Sequence, residues 1–300
     1  MSNTTSPPVT VVLPVKNGLP FLPEAVESIL SQTFRDFEFV IIDDGSTDGT
    51  TAYLRALRDP RLRLLRNESG RGVAASLNQG IAASASPFIA RQDADDISEP
   101  ERLAKQVEYM AAHPECIVLG TQCCLIDQAS NFVELFPRPS TEADLREMLR
   151  RQCPLIHGSV LMRRAQVVEA GGYREKIRYA EDYDLWLRLA APRAIANHPE
   201  ALYRYRRHEG QICTANYNDS SFDSFLCRVL HLERECTGEE DSLSVLDAEQ
   251  MSAIKLRKIW RPRGDWPRRV RVLWRYAQLL QSDSPLRSAA ARLFALTGGW

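Results

Sequence analysis

From Val9 to Arg91 the chain repeats one texture, a short β-type run followed by a stretch with apolar residues at helical spacing. Val9–Leu13 is followed by Phe21 to Gln32, with apolar residues at positions 22, 25, 26, 29 and 30. Phe37–Ile42 precedes a helix expected from about Asp48 to Arg58, and Arg61–Leu65 one from about Val73 to Ala83. A fourth run, Ser86–Arg91, ends in Gln92-Asp93-Ala94-Asp95-Asp96. Near-continuous apolar strands separated by amphipathic helices predict an α/β fold, a Rossmann-like, mostly parallel sheet flanked by helices. In such sheets ligands bind beyond the carboxyl ends of the strands. Both acidic clusters, Asp43-Asp44-Gly45-Ser46 and Asp93 to Asp96, are expected on that rim, with Ser46 and Asp48 suited to cap the helix they precede.

Beyond about residue 115 the rhythm changes. Cys116–Ile126, Pro154–Met162 and Ala201–Arg207 read as strands, Leu145–Arg151 as a helix end and Asp182–Ala191 as a helix, and from about Asn216 the pattern is mostly helical. Three parts are expected: residues 1–115 and 116–212 as two halves of one domain, and 213–300 as a C-terminal helical extension. An apolar content of 44% is ample for a core. The net charge of -1 conceals an asymmetry, because Lys255 to Trp300 carries eleven Lys or Arg against Asp265 and Asp283, leaving the rest of the chain at -10. The seven cysteines form no C-x-x-C pair and are odd in number, which suits reduced thiols and small core residues better than disulfides or zinc. MSNTTSPPV lacks the regions of a signal peptide, and no run approaches the roughly 18 apolar residues needed to span a bilayer. The expected location is cytoplasmic.

Three carboxylates within four residues at a strand end repel one another and are costly to desolvate without compensation. Hard divalent cations take oxygen ligands, and Mg2+ characteristically combines one or two carboxylates with substrate phosphates. The cluster therefore points to Mn2+ or Mg2+ on a diphosphate. The alternative is a solvated turn capping the helix that begins near Pro100.

In combination and in order, five segments resemble the inverting family 2 glycosyltransferases of the GT-A fold, over roughly residues 8 to 212. They are Val11-Val-Leu-Pro-Val-Lys-Asn17; Ser31-Gln-Thr-Phe34 with Phe37-Glu-Phe-Val-Ile-Ile-Asp-Asp-Gly-Ser46; Arg71-Gly-Val-Ala-Ala-Ser-Leu-Asn-Gln-Gly-Ile81; Asp93-Ala-Asp-Asp96; and Glu181-Asp-Tyr-Asp-Leu-Trp-Leu-Arg188. The resemblance implies a nucleotide-sugar-binding half over 1–115 and an acceptor-binding half over 116–212. It implies that Asp44 contacts the nucleotide base, with Pro14 and Lys16 lining the same pocket. Asp93 would meet the ribose and Asp95 the metal, while Arg71 is placed to meet a phosphate or the sugar. Asp182 is the expected general base, next to Glu181 at a helix start where acids also suit the dipole. His157, in Leu155-Ile-His-Gly-Ser159, matches a position near the acceptor or is a core histidine. His208, in a segment that resembles a loop closing over the diphosphate in related enzymes, is the expected metal or phosphate ligand, and Arg204, Arg206 and Arg207 could add positive charge there, although at alternating spacing some must face away. Asp96 reads as the cap of the next helix, with an orienting role behind its neighbours as the alternative.

The function so implied is metal-dependent, inverting transfer of a single sugar from a nucleotide-diphosphate donor, UDP favoured, to a glycan or lipid-linked acceptor in bacterial surface polysaccharide assembly. The Gln-x-x-Arg-Trp signature of processive relatives is absent. A sugar-1-phosphate nucleotidyltransferase would need a Gly-rich basic loop after the first strand, and a dinucleotide oxidoreductase G-x-G-x-x-G; Pro14-Val-Lys-Asn-Gly18 is neither. A catalytically silent scaffold is the non-enzyme alternative, against which the joint presence of Asp44, Asp93, Asp95 and Asp182 speaks. The tail interleaves Arg and Lys with Trp260, Trp266, Trp274, Tyr276 and Leu residues, a composition that fits an anionic membrane surface or packing on the catalytic domain better than nucleic acid.

Overall fold

The structure is a computed structural model that describes residues 6–190, 194–211, 217–237, 241 and 243. The chain divides into two compact units, Met1–Ala215 and Asn216–Trp300. In the first, β1 (Val9–Val15), β2 (Phe37–Asp43), β3 (Leu62–Arg66) and β4 (Phe88–Arg91) are separated by helices α1 (Leu22–Leu30), α2 (Thr50–Ala56) and α3 (Val73–Ala83). All pairings among these four strands are parallel, with Val9 opposite Phe37 and Phe88, and Phe39 opposite Leu62. Every residue of β1 is buried, as the unbroken apolar run requires. On α1, Leu22, Ala25, Val26 and Ile29 turn into the core, the face given by their helical spacing.

The remaining elements of this unit are β5 (Ile97–Ser98), α4 (Arg102–Ala112), β6 (Val118–Ile126), β7 (Phe132–Phe136), α5 (Glu142–Leu149), β8 (Leu161–Arg163), α6 (Arg164–Glu169), α7 (Glu181–Leu189) and β9 (Ile195–Arg206). The sheet runs β3-β2-β1-β4-β8-β6-β9-β5, with β7 beside β6. Its longer ladders, including β6 with β9, are parallel, while β8, β7 and β5 pair antiparallel. Only residues 92–96 join β4 to β5, although β8, β6 and β9 lie between them. On a flat sheet four strand spacings make about 19 Å, close to the roughly 21 Å that six Cα steps can reach. The link is not stretched, because Gln92 Nε2 donates back to the carbonyls of Asp93 (3.0 Å) and Asp96 (2.9 Å). The sheet therefore curls, and its far edge returns to β4.

Three expectations change after β4. The strand expected over Pro154–Met162 is interrupted by a 3₁₀ turn at His157–Ser159, and only Leu161–Arg163 pairs as a strand. The strand expected at Ala201–Arg207 begins earlier, at Ile195, and passes a pairing irregularity opposite Thr121 to Cys123. The helix expected near Pro100 starts at Arg102, and Glu101 at its cap position makes no side-chain cap.

In the second unit the described residues form helix α8 (Tyr217–Thr237). The basic tail from Lys255 lies outside the described residues.

Candidate active site

The carboxyl ends of β1, β2 and β4 form one rim. Asp44 follows β2 and is 5% exposed. One of its oxygens accepts from Asn67 Nδ2 at 2.7 Å and the Arg71 amide at 2.9 Å, and the other from the Gly72 amide at 2.9 Å. Burial works against the charge, but the bonds from the Arg71 amide, Asn67 and the Gly72 amide outweigh it and hold the carboxyl below the usual range. Asp44 thus shapes the loop that leads into α3. Lys16 reaches over the same loop, since a Cβ on Gly70 would stand 2.5 Å from its Nζ. Pro14 is buried on β1 opposite Ile42, and the Arg71 side chain is exposed at the loop's tip. Pro14, Lys16, Asp44 and Arg71 therefore share one edge of the sheet.

The next strand end carries the acidic cluster, whose three carboxylates have separate partners. Asp93 Oδ1 accepts from Arg91 Nη2 at 2.7 Å, and Arg91 is itself buried. Burial raises the Asp93 carboxyl, Arg91 opposes the rise and Asp95 adds to it, leaving the group above the usual range. Asp95 Oδ2 lies 2.9 Å from His208 Nε2, so the two expected metal ligands, more than a hundred residues apart in sequence, do meet. The ring of Phe21 packs on His208 with centroids 4.7 Å apart.

Asp96 is not a helix cap. It is 1% exposed and accepts from the Arg206 amide at 2.8 Å, tying the acidic loop to β9. Burial, with Asp95 and Asp93 nearby, pushes its carboxyl well above the ordinary value. The three arginines near His208 each have an acidic partner. Arg204 pairs with Glu99 at 2.5 Å and Arg207 with Glu134 at 3.8 Å. Arg206 is fully buried; it donates to the Asp95 carbonyl at 2.7 Å and pairs with Glu24 at 2.6 Å.

Across from this rim, the N-terminus of α7 presents Glu181 and Asp182. Asp182 accepts from the Tyr183 amide at 2.7 Å and faces Cys153 Sγ at 3.4 Å. Burial pushes its carboxyl up, the Tyr183 amide and the Cys153 thiol pull it back, Asp93 adds to the rise, and the outcome lies above the ordinary value. Glu181, buried beside Asp182, is pushed up to about 8. His157 Nε2 lies 2.9 Å from the Tyr173 hydroxyl, and burial with Arg91 nearby holds the imidazole well below its usual value, hence neutral.

The two groups meet at Gly158. A Cβ there would stand 2.4 Å from Asp93 Oδ2 and 2.0 Å from the Tyr203 hydroxyl, so Asp93 lies against the residue that follows His157. Sequence reasoning passed over the residues that make this meeting possible. Arg91 and Arg102 are buried cations beneath the carboxylates; Arg102 donates to the carbonyls of Arg91 (3.0 Å) and Gly158 (2.8 Å), and burial lowers it to about 10. Cys153 is a neighbour of Asp182 rather than a core residue. A basic residue closing an apolar run, as Arg91 does, is the one signal that pointed this way.

Glu181 gives a pH prediction. Its folded value of about 8 lies above the ordinary 4.5, so its contribution to stability is present below 4.5 and is lost as pH rises through about 8. The urea midpoint is expected to fall between about pH 4.5 and about pH 8 and to level off above that, and Glu181→Gln to flatten that fall. An equally steep fall in the variant would show that another group titrates.

Asp95 and His208 fit a divalent cation as a pair, one carboxylate and one imidazole at the rim. Among the described residues no group of three or more His, Cys, Asp or Glu is arranged to hold a metal.

The family model for Glycosyl transferase family 2 matches residues 10–171, more than half of the chain. The chain is 32% identical over 242 residues to EpsE of Bacillus subtilis (strain 168), named as a glycosyltransferase, covering 76% of this chain and 84% of that one. It is also 32% identical over 191 residues to the amylovoran biosynthesis glycosyltransferase AmsE of Erwinia amylovora, covering 62% and 70%. The fold matches S. aureus TarS residues 1–349 in complex with UDP-GlcNAc at a TM-score of 0.64 and 18% identity, covering 97% of this chain and 89% of that one. It matches the mannosyltransferase PcManGT of Pyrobaculum calidifontis, in complex with GDP-Man and Mn2+, at 0.57 and 19%, covering 99% and 88%. With its parallel rim, acidic loop and facing acid pair, the chain belongs to glycosyltransferase family 2 and has the GT-A fold.

Proposed function

We propose that the chain transfers one hexose from a nucleotide-diphosphate donor, UDP-sugar favoured, to a glycan or lipid-linked acceptor with inversion, in cell-surface polysaccharide assembly. The observation that carries this reading is the position of Asp93. It is held by Arg91 on the nucleotide rim, lies against Gly158 beside His157, and its charge raises both Glu181 and Asp182. A sugar bound above Asp93 would have the nucleotide on one side and the acid pair on the other. The complexes of TarS with UDP-GlcNAc and of PcManGT with GDP-Man support a nucleotide-sugar donor, and the name of AmsE supports polysaccharide as the product class.

In this reading the base lies along the loop that Asp44 holds, with Pro14 and Lys16 beside it, Asp93 bonds the ribose and Arg71 approaches a phosphate or the sugar. Asp182 accepts the acceptor hydroxyl's proton as that oxygen attacks the anomeric carbon from the face opposite the diphosphate, so an α-linked donor yields a β-linked product. Neutral His157 and protonated Glu181 line the acceptor side without adding charge. Asp95 and His208 would hold Mn2+ or Mg2+, which when bound stabilises the negative charge developing on the diphosphate.

A panel of nucleotide sugars tests this by thermal shift and donor hydrolysis, with and without Mn2+, on the wild type and Asp95→Ala. One donor is expected to raise Tm only with metal, and Asp95→Ala to lose most of that rise. Equal stabilisation without metal and in the variant would refute the metal assignment, and no response to any donor would refute the nucleotide-sugar reading.

The tail from Lys255, with its surplus of positive charge, is proposed to hold the protein at the inner face of the cytoplasmic membrane. Co-sedimentation with anionic vesicles at low salt is the expected result, and its absence rejects the assignment. No helix among the described residues is long and apolar enough to cross a membrane.

A further inference from the structure

Asn78 stands on α3, the helix that leaves the loop held by Asp44, yet its side chain works on the opposite side of the site. Its Oδ1 accepts from the Tyr173 amide at 2.9 Å and its Nδ2 donates to the Tyr173 carbonyl at 2.8 Å. One carboxamide thus satisfies both backbone groups of a single residue, as a neighbouring strand would. The turn before Tyr173 is shaped for this grip. Gly171 and Gly172 have φ of +80° and +66°, and a Cβ on Gly172 would stand 2.6 Å from Asn78 Oδ1. From the other side Arg188, on the helix that carries Asp182, donates to the Gly172 carbonyl at 2.6 Å and to the Ala170 carbonyl. The turn is therefore a joint between the donor-side helix and the helix of the acid pair.

What the joint holds is the Tyr173 side chain. The residue is 2% exposed, and its hydroxyl lies 2.9 Å from His157 Nε2. Tyr173 and Trp186 contact the imidazole, with centroids 5.4 and 6.1 Å away, and Arg91 is the charged group that acts on it. We propose that Asn78 is a positioning residue for the acceptor side: by fixing the Tyr173 backbone it places the hydroxyl that orients His157. The proposal rests on the acceptor-side assignment of His157 for its catalytic consequence, and on geometry alone for the grip.

Histidine-ring ¹H–¹⁵N spectra of the full chain, which has five histidines, test it. Asn78→Asp keeps the shape but turns an oxygen toward the Tyr173 carbonyl in place of the donor. In this variant the His157 ring signals are expected to shift or broaden beyond detection while the other histidines keep theirs. UDP affinity is expected to stay within about twofold, and sugar transfer from a UDP-sugar to fall on the order of a hundredfold through misplacement. Tyr173→Phe, which removes only the hydroxyl, should reproduce the His157 change. Where Asn78→Asp does not fold, Asn78→Ser loses both bonds without bringing in a charge and carries the same comparison. A His157 spectrum superimposable on that of the wild type overturns the proposal, as does a loss of UDP affinity as large as the loss of transfer. Failure of the wild type to bind UDP would remove the donor reading instead, and the His157 spectrum would still decide on Asn78.

Discussion

Asp182→Asn is expected to lower transfer between a hundredfold and ten thousandfold while nucleotide-diphosphate affinity stays within about twofold. The substitution keeps the bond from the Tyr183 amide and the packing on Cys153 but removes the carboxylate that takes the acceptor proton in the proposed mechanism. The pH profile sharpens the expectation. The base works ionised and its carboxyl is raised by burial, so the acid limb of the wild-type profile should lie above the 3.8 of an ordinary aspartate. Activity is lost as pH falls through that limb, and in the variant the residual rate should not show it. A variant within tenfold of the wild type, or a product of retained configuration, would remove Asp182 from this role.

The second large effect is expected at Gly158. Its missing side chain is the space in which Asp93 and the Tyr203 hydroxyl approach the residue after His157, and neither neighbour can withdraw easily. Tyr203 is fully buried on β9, and Asp93 is tied to Arg91. Gly158→Ala should therefore displace Asp93 and disturb the Gly158 carbonyl that Arg102 holds. Overpacking of this kind typically costs about 1–3 kcal/mol in stability, and loss of the Asp93 position should weaken UDP binding by an order of magnitude or more. Urea unfolding and UDP titration check the two parts. Adding Tyr203→Phe, which removes the nearer obstacle, should restore part of the stability; an alanine variant indistinguishable from the wild type in both measurements would show that the site has slack.

The first four strands were legible because β1 and β2, at their centre, are unbroken apolar runs buried almost throughout. β1 to β4 and the helices between them fall where the runs of Val, Ile, Phe and Leu predict, and α3 spans Val73–Ala83 as read. The second half is built from edge and antiparallel pieces, whose short strands leave weak patterns. β7 and α6 gave no sequence signal, and the part of β9 before Ala201, which contains Pro199, was not read as a strand. At the site the acids were found, but the buried cations Arg91 and Arg102 were not. Arg91, Arg102 and Arg206 are buried, an arrangement that residue type alone argues against because arginine is mostly a surface residue. The expectation that a cation compensates the cluster missed Arg91 and the Arg206 amide, which answer Asp93 and Asp96, while His208, which was expected, answers Asp95. Cys153 and Tyr173 were passed over because they act across the fold on residues far from them in sequence.

The short link from β4 to β5 has a further meaning. It works as a buckle: five residues fasten the far edge of a curled sheet back to its middle, and the same five carry the acidic cluster. Lengthening the strap by even one or two residues would slacken the curl and carry Asp95 away from His208 in a single motion. Loop grafting between relatives at this point therefore has little latitude, and exchange of donor preference is better sought on Asn67 to Gly72, whose backbone is pinned by Asp44 but closes no seam.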